Sequence, residues 1–179
     1  MKRRNVILAA LLVPLAIVIA GCAPIHVSSH VDRNANFASY HTFTWGPADA
    51  LPTGDPRLDN NPFFHDYLQG AVERHLHEHG ITLAANPADA DLVLHYHAVV
   101  TQRLDVSPAK HDANGVSAEQ QVTDYEESTL VLDMADAHTM RLVWRGWAQE
   151  SLQSVEDNQE RLRKHIEDSV VLMLKQLPL

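Results

Sequence analysis

The sequence predicts an α+β domain, a mostly antiparallel five-stranded sheet with two amphipathic helices packed on one face. Three observations carry this expectation. Leu162, Ile166, Val170, Met173 and Leu177 recur at i, i+4, i+8, i+11 and i+15, the stripe of a helix buried on one side. Ser128 to Met134 and Met140 to Glu150 are alternating apolar runs joined by Ala135-Asp136-Ala137-His138-Thr139, which reads as a β-hairpin. In chain order the elements run strand, strand, helix, strand, strand, strand, helix, so strands cluster rather than alternate with helices.

Each element has its own signal. Lys2, Arg3 and Arg4 precede an apolar run from Val6 to Ile19 with small residues after it, so residues 1–21 read as a secretory signal peptide. A transmembrane helix needs about 20 apolar residues, and this run reaches His26 and Ser28 too soon. Residues 22–30 form a tether running into a first strand, where Ile25, Val27 and Val31 alternate with polar residues. His41 to Trp45 alternates aromatic and threonine positions, a second strand. From Gly46 to Asn61 the chain is punctuated by Pro47, Pro52, Gly54 and Pro56 and reads as loop. Asn61 before Pro62 is a helix start, because the Asn side chain caps free N–H groups and proline suits the first turn. Phe64, Leu68, Ala71, Val72 and Leu76 then predict a helix over 62–79, with Gly80 as a left-handed cap.

Beyond it, Leu92, Leu94, Tyr96, Ala98 and Val100 alternate with Val93, His95, His97 and Val99 in a central strand. Residues 105–121, with Pro108, Asn114 and Gly115, read as a long polar loop. The last helix is expected from about Val155 to Leu177, and Pro178 stops it. Residues 31–179 therefore form a single domain. The helix-covered side of its sheet would carry Leu94, Tyr96, Leu130, Leu132, Leu142 and Trp144. The other side would carry Val93 with His95, His97, Val131, Val143 and Trp147, and these last five are the candidate binding face.

Composition narrows the function. The signal holds three of the 14 basic residues and none of the 23 acidic ones, which leaves 11 against 23 and a formal charge of −12. Such a surface repels nucleic acid, so no nucleic-acid partner is expected. There is one cysteine, so no internal disulfide forms and the fold stands on its core.

That cysteine ends the stretch Val18-Ile19-Ala20-Gly21-Cys22, which resembles the lipobox of bacterial lipoproteins. The resemblance implies a diacylglycerol on the Cys22 thiol, cleavage before Cys22, and acylation, as by palmitate, of the new amine. Ala23 stands where an aspartate would retain an enteric-type lipoprotein at the inner membrane. The implied address is the outer membrane, with the domain facing the periplasm.

Four further words carry a second resemblance. They are Asn36-Phe37-Ala38-Ser39-Tyr40-His41-Thr42-Phe43-Thr44-Trp45, Ala88-Asp89-Ala90-Asp91-Leu92-Val93-Leu94, Ser128-Thr129-Leu130-Val131-Leu132-Asp133 and Leu142-Val143-Trp144-Arg145-Gly146-Trp147-Ala148. In these the chain resembles the bacterial lipoproteins grouped as domain of unknown function 4136. That implies a single envelope α+β domain and no established activity. At the hairpin tip the chain departs from the family's Lys-Thr-Gly type of turn, with Ala137-His138-Thr139-Met140 instead.

All 12 histidines lie beyond the signal. His75, Glu78 and His79 fit an H-x-x-E-H pattern, in which two histidines one turn apart hold a metal. His95 and His97, two apart on one strand face, are a second candidate pair. The competing readings are a helix C-terminus that favours cations and a half-exposed sheet face. No serine sits in a Gly-x-Ser-x-Gly turn and no phosphate loop is present, so an enzyme is not expected. The reading is a lipid-anchored envelope lipoprotein with a non-catalytic binding or structural role, an unidentified envelope protein as partner and no cofactor. The alternatives are a periplasmic lipoprotein binding zinc or copper through its histidines, and a small hydrolase.

Overall fold

The computed structural model describes residues 24–47, 55–106, 122–152 and 158–179, so the signal, Cys22 and segments 48–54, 107–121 and 153–157 lie outside the described residues. The elements are β1 (His26–Val31), β2 (Thr42–Trp45), α1 (Pro56–Asp59), α2 (Phe64–Glu78), β3 (Thr82–Leu83), β4 (Leu92–Val106), β5 (Val122–Asp136), β6 (Leu142–Leu152) and α3 (Gln159–Leu174). They build an α+β domain with one six-stranded sheet in the order β1-β6-β5-β4-β2-β3.

The sheet is mixed rather than five-stranded and mostly antiparallel. β4, β5, β6 and β1 pair antiparallel, whereas β2 runs parallel to both β3 and β4. The parallel pairs follow from the crossover through α1 and α2, since a strand that returns after a helix re-enters in the same direction. The two-residue β3 is too short to show any alternation. β1 begins at His26, inside the stretch read as tether.

Helix ends follow side-chain chemistry. Asp55 caps α1 by accepting the Arg57 N–H at 2.8 Å, which turns part of the expected loop into helix. Asn61 accepts the Phe63 N–H at 2.9 Å, but this closes a turn, and α2 starts two residues later than expected. At the other end the Ile81 N–H reaches the Leu76 carbonyl at 2.9 Å and the Gly80 N–H reaches that of His77 at 3.0 Å. With Gly80 at φ 81° this is a Schellman cap, and Ile81 and Leu76 are both buried in the core. Asn158 caps α3 through the Glu160 and Arg161 N–H groups.

The core lies between the helices and one sheet face. Leu162, Ile166, Val170 and Met173 of α3 are buried there, as the stripe predicts, together with Phe43, Leu92, Leu94, Leu132, Met134 and Trp144; α3 ends at Leu174, three residues short of the expected Leu177, which is buried from the turn beyond it. Tyr96 and Leu130 pack against its edge. Leu142 and Val143 exchange the places expected for them. An irregularity pairs Met134 with Trp144 but Ala135 with Leu142, so Val143 is an extra residue between two paired rows. The bulge turns Val143 into the core at 4% exposure, leaves Leu142 38% exposed, and removes Val143 from the candidate binding face.

The hairpin tip is organised by Asp136. Its Oδ1 accepts from the backbone N–H groups of His138 and Thr139 and from the Thr139 hydroxyl. Met140 follows with φ 56°, a left-handed conformation that suits glycine rather than a side chain. Met140→Gly is expected to stabilise the domain by about 0.5–1 kcal/mol, less than the full left-handed penalty because glycine also loosens the unfolded chain. Urea unfolding of the two proteins is the measurement, and a lower midpoint in the variant would refute the strain argument.

Candidate functional site

The open face of the sheet is built by register. Ser28, Trp147, Val131 and His97 stand opposite one another across β1, β6, β5 and β4, and the next row is His30, Arg145, Asp133 and His95. Side chains paired across strands share a face, so four of the five candidate residues, His95, His97, Val131 and Trp147, come together. None of these four is buried, in contrast to Leu94, Leu132, Trp144 and Ala148 on the helix side.

Arg145 holds Asp133 bidentately, Nε to Oδ1 at 2.6 Å and Nη2 to Oδ2 at 2.5 Å. This fork raises the Arg145 pKa and fixes a planar charged pair beside Trp147. His95 lies over Gly46, where an added Cβ would come within 2.0 Å of its ring. Gly46 therefore gives the imidazole its place. The face can offer an aromatic surface, a fixed ion pair and several imidazoles to a partner.

The helix-end histidines do not join this face. His75 Nδ1 pairs with Glu78 at 3.0 Å and its Nε2 with Glu167 of α3 at 2.8 Å, so carboxylates occupy both ring nitrogens. Arg74 also pairs with Glu167. His79 is the exposed C-cap of α2. His75 and His79 thus lie on the helix layer, while His95 and His97 face away from it. Among the described residues no group of three or more His, Cys, Asp or Glu side chains is placed to hold a metal ion.

A third feature lies between helices and sheet, where a cavity of about 50 Å³ is walled by residues including Leu58, Phe64, Leu130, Leu162 and Ile166. Glu150, 8% exposed, points into it and accepts a bond from His165 Nδ1 of α3 at 2.6 Å. Burial pushes the Glu150 carboxyl up, and the bonds from His165 and the Ser169 hydroxyl oppose that push. These bonds tie α3 to β6. Glu150 is not among the site residues expected from the sequence. The available signal was parity: Trp144, Gly146, Ala148 and Glu150 alternate along β6, which puts Glu150 on the core side.

The comparisons bear on fold and family. A PDZ-domain protein from Parabacteroides distasonis ATCC 8503 is similar in structure at a TM-score of 0.56 and 16% identity, over 86% of this chain; the chain spans 36% of that protein's length. A DUF4136 family protein from Bacteroides thetaiotaomicron VPI-5482 aligns at a TM-score of 0.48 and 12% identity, covering 83% of this chain and 95% of its own. PelC from Paraburkholderia phytofirmans, a dodecamer, aligns at 0.49 and 12% identity, over 86% and 98%. No curated protein matches the chain. The family model described as Domain of unknown function (DUF4136) matches residues 27–179, and the chain belongs to that family.

Proposed function

We propose that this protein is an envelope lipoprotein, held at the outer membrane by lipid on Cys22 and facing the periplasm, that binds an envelope partner through the open face of its sheet. The observation that carries the binding role is the row of Trp147, Val131 and His97 beside the Arg145–Asp133 fork, on a face where none of these side chains is buried. A half-buried tryptophan next to a fixed guanidinium is the composition of an interface centre. The lipobox-like stretch supports the anchor, because two or three acyl chains give stable attachment that an acidic domain lacks by itself. The role is non-catalytic.

The two parts are tested separately. Cys22→Ala is expected to move the protein from the membrane to the soluble fraction, and a variant that stays membrane-bound after signal cleavage would defeat the anchor. For the face, a photo-crosslinking amino acid at position 147 is expected to give one discrete adduct in intact cells, and the same group at the exposed Glu78 none. Against that partner once purified, Trp147→Ala should weaken binding about 30-fold, the effect of a hot-spot tryptophan. No adduct at 147, or equal adducts at both positions, would remove the binding face.

A further inference from the structure

We propose that the free edge of β1 takes up an extended segment of a partner protein, apolar at alternate positions and acidic at its ends, as an added strand lying against α3. This uses neither the lipid anchor nor the open face. The register shows which backbone groups are free. The Asp32 N–H donates to the Val143 carbonyl at 2.9 Å, and the ladder continues without a break from Val31 opposite Trp144 to His26 opposite Gln149. In an antiparallel pair, residues that exchange hydrogen bonds alternate with residues that do not, so His30, Ser28 and His26 aim at β6. Val31, Ser29 and Val27 aim away from it. Among the described residues β1 pairs with β6 alone, and these three outward N–H groups and three carbonyls have no backbone partner.

The two edges of the sheet differ. β3, at one edge, is two residues long and too short to template another strand. β1, at the other, is six residues, His-Val-Ser-Ser-His-Val, paired without a bulge and free of proline and lysine. It thus lacks the devices that keep an edge strand from pairing. An edge in that state is a seat for strand addition, in which main-chain hydrogen bonds give affinity and pockets for alternate side chains give specificity.

Side chains beside the edge select the segment. Residues of an added strand that stand opposite Val27, Ser29 and Val31 would turn their side chains to the helix side. There Ile25, Val171 and Leu172 line a groove of about 420 Å³ together with Lys164, Asp168 and Lys175. Val171 and Leu172 are only half-buried, which leaves apolar surface for alternate apolar side chains. Lys164 is paired to Asp168, whereas Lys175 is exposed and has no ion pair among the described residues. With imidazole neutral, the groove therefore carries one positive charge in excess on a chain of formal charge −9, which favours an acidic residue in the occupant. A second copy, paired edge to edge about a two-fold axis, would bring its own α3 lysines against these.

The test uses the full chain in a non-ionic detergent and a fluorescent peptide in which valine alternates with threonine between terminal glutamates. Hydrogen exchange is followed residue by residue by NMR, and binding by fluorescence polarisation. Without peptide the Val27, Ser29 and Val31 amides should exchange freely and those of Ser28 and His30 slowly; the peptide should slow the first three about tenfold or more. Ser29→Pro removes an outward N–H and leaves the β6 ladder intact, so it should weaken binding about tenfold while the Ser28 and His30 amides stay slow. Lys175→Glu, a change at an exposed side chain, should weaken binding about threefold, and a peptide ending in lysines should regain that factor on the variant. No slowing at about 1 mM peptide would overturn the proposal. So would slowing without peptide that rises with protein concentration, the mark of a second copy, or undiminished binding by Ser29→Pro with its ladder intact.

Discussion

Gly146→Ala lowers the stability of the domain by about 2–3 kcal/mol, the cost of overpacking a filled core. On strand preference alone the change would help, since glycine in a strand interior costs about 0.5–1 kcal/mol relative to alanine. The structure reverses the sign. A Cβ at position 146 would stand 2.2 Å from the Trp144 ring, which folds back over the glycine on the core side of β6. Trp144 is fully buried and its Nε1 has no acceptor among the described residues, so the indole is held by packing. The measurement is urea unfolding of Gly146→Ala alone and in a Trp144→Leu background. The second cost should fall below about 0.5 kcal/mol, because the two sites act through one contact. Equal costs in both backgrounds would show that Trp144 is not the obstacle.

Asp91→Ala costs about 2 kcal/mol, since it leaves several donors without their acceptor. Asp91 Oδ2 accepts from the backbone N–H groups of His41 at 2.8 Å and Thr42 at 2.9 Å and from the Thr42 hydroxyl at 2.9 Å. One carboxylate thus joins the entrance of β2 to that of β4. These bonds, the His41 N–H first, hold the Asp91 carboxyl below the ordinary aspartate value of 3.8. Thr139 acts likewise on Asp136, and Arg57 on Asp55. A carboxyl whose folded pKa lies below its unfolded one stabilises the fold fully above about pH 4 and loses that contribution as pH falls through the folded value. Glu150 acts in the opposite sense, its raised pKa favouring the folded state at low pH and fading as pH rises. Asp32 and Glu167 are lowered as well, and these five lowered carboxyls against one raised predict a net loss of stability on acidification below pH 4, smaller in Asp91→Ala than in the parent. Parallel stability curves for the two proteins from pH 5 to pH 2 would contradict this.

The legible parts of the fold were those with a repeated local signal. The α3 stripe and the Gly80 cap depend on spacing or on one backbone angle, and both stand in the sequence itself. β3 did not, because two residues cannot alternate. The parallel seating of β2 is set by a crossover through helices whose packing no local pattern records. The bulge at Val143 broke the period-two rule for the residues nearest it, which is why Leu142 and Val143 changed sides while Trp144 and Trp147 did not. For the site, alternation was enough to gather His95, His97, Val131 and Trp147. Glu167 beside His75 and Glu150 beside His165 come from other elements, and for these pairings the sequence offers only the residue types.

The position of β1 also bears on how the chain folds. Among the described residues β1 pairs only with β6, near the far end of the sequence, whereas β4, β5 and β6 form a meander of neighbours. Contacts of long sequence separation form slowly because a large loop must close first. The meander is therefore expected to assemble before β1 docks. Under the lipid anchor proposed above, the segment nearest the attachment point would be the last to find its place, and until then the outer side of β6 is an unpaired edge open to other strands.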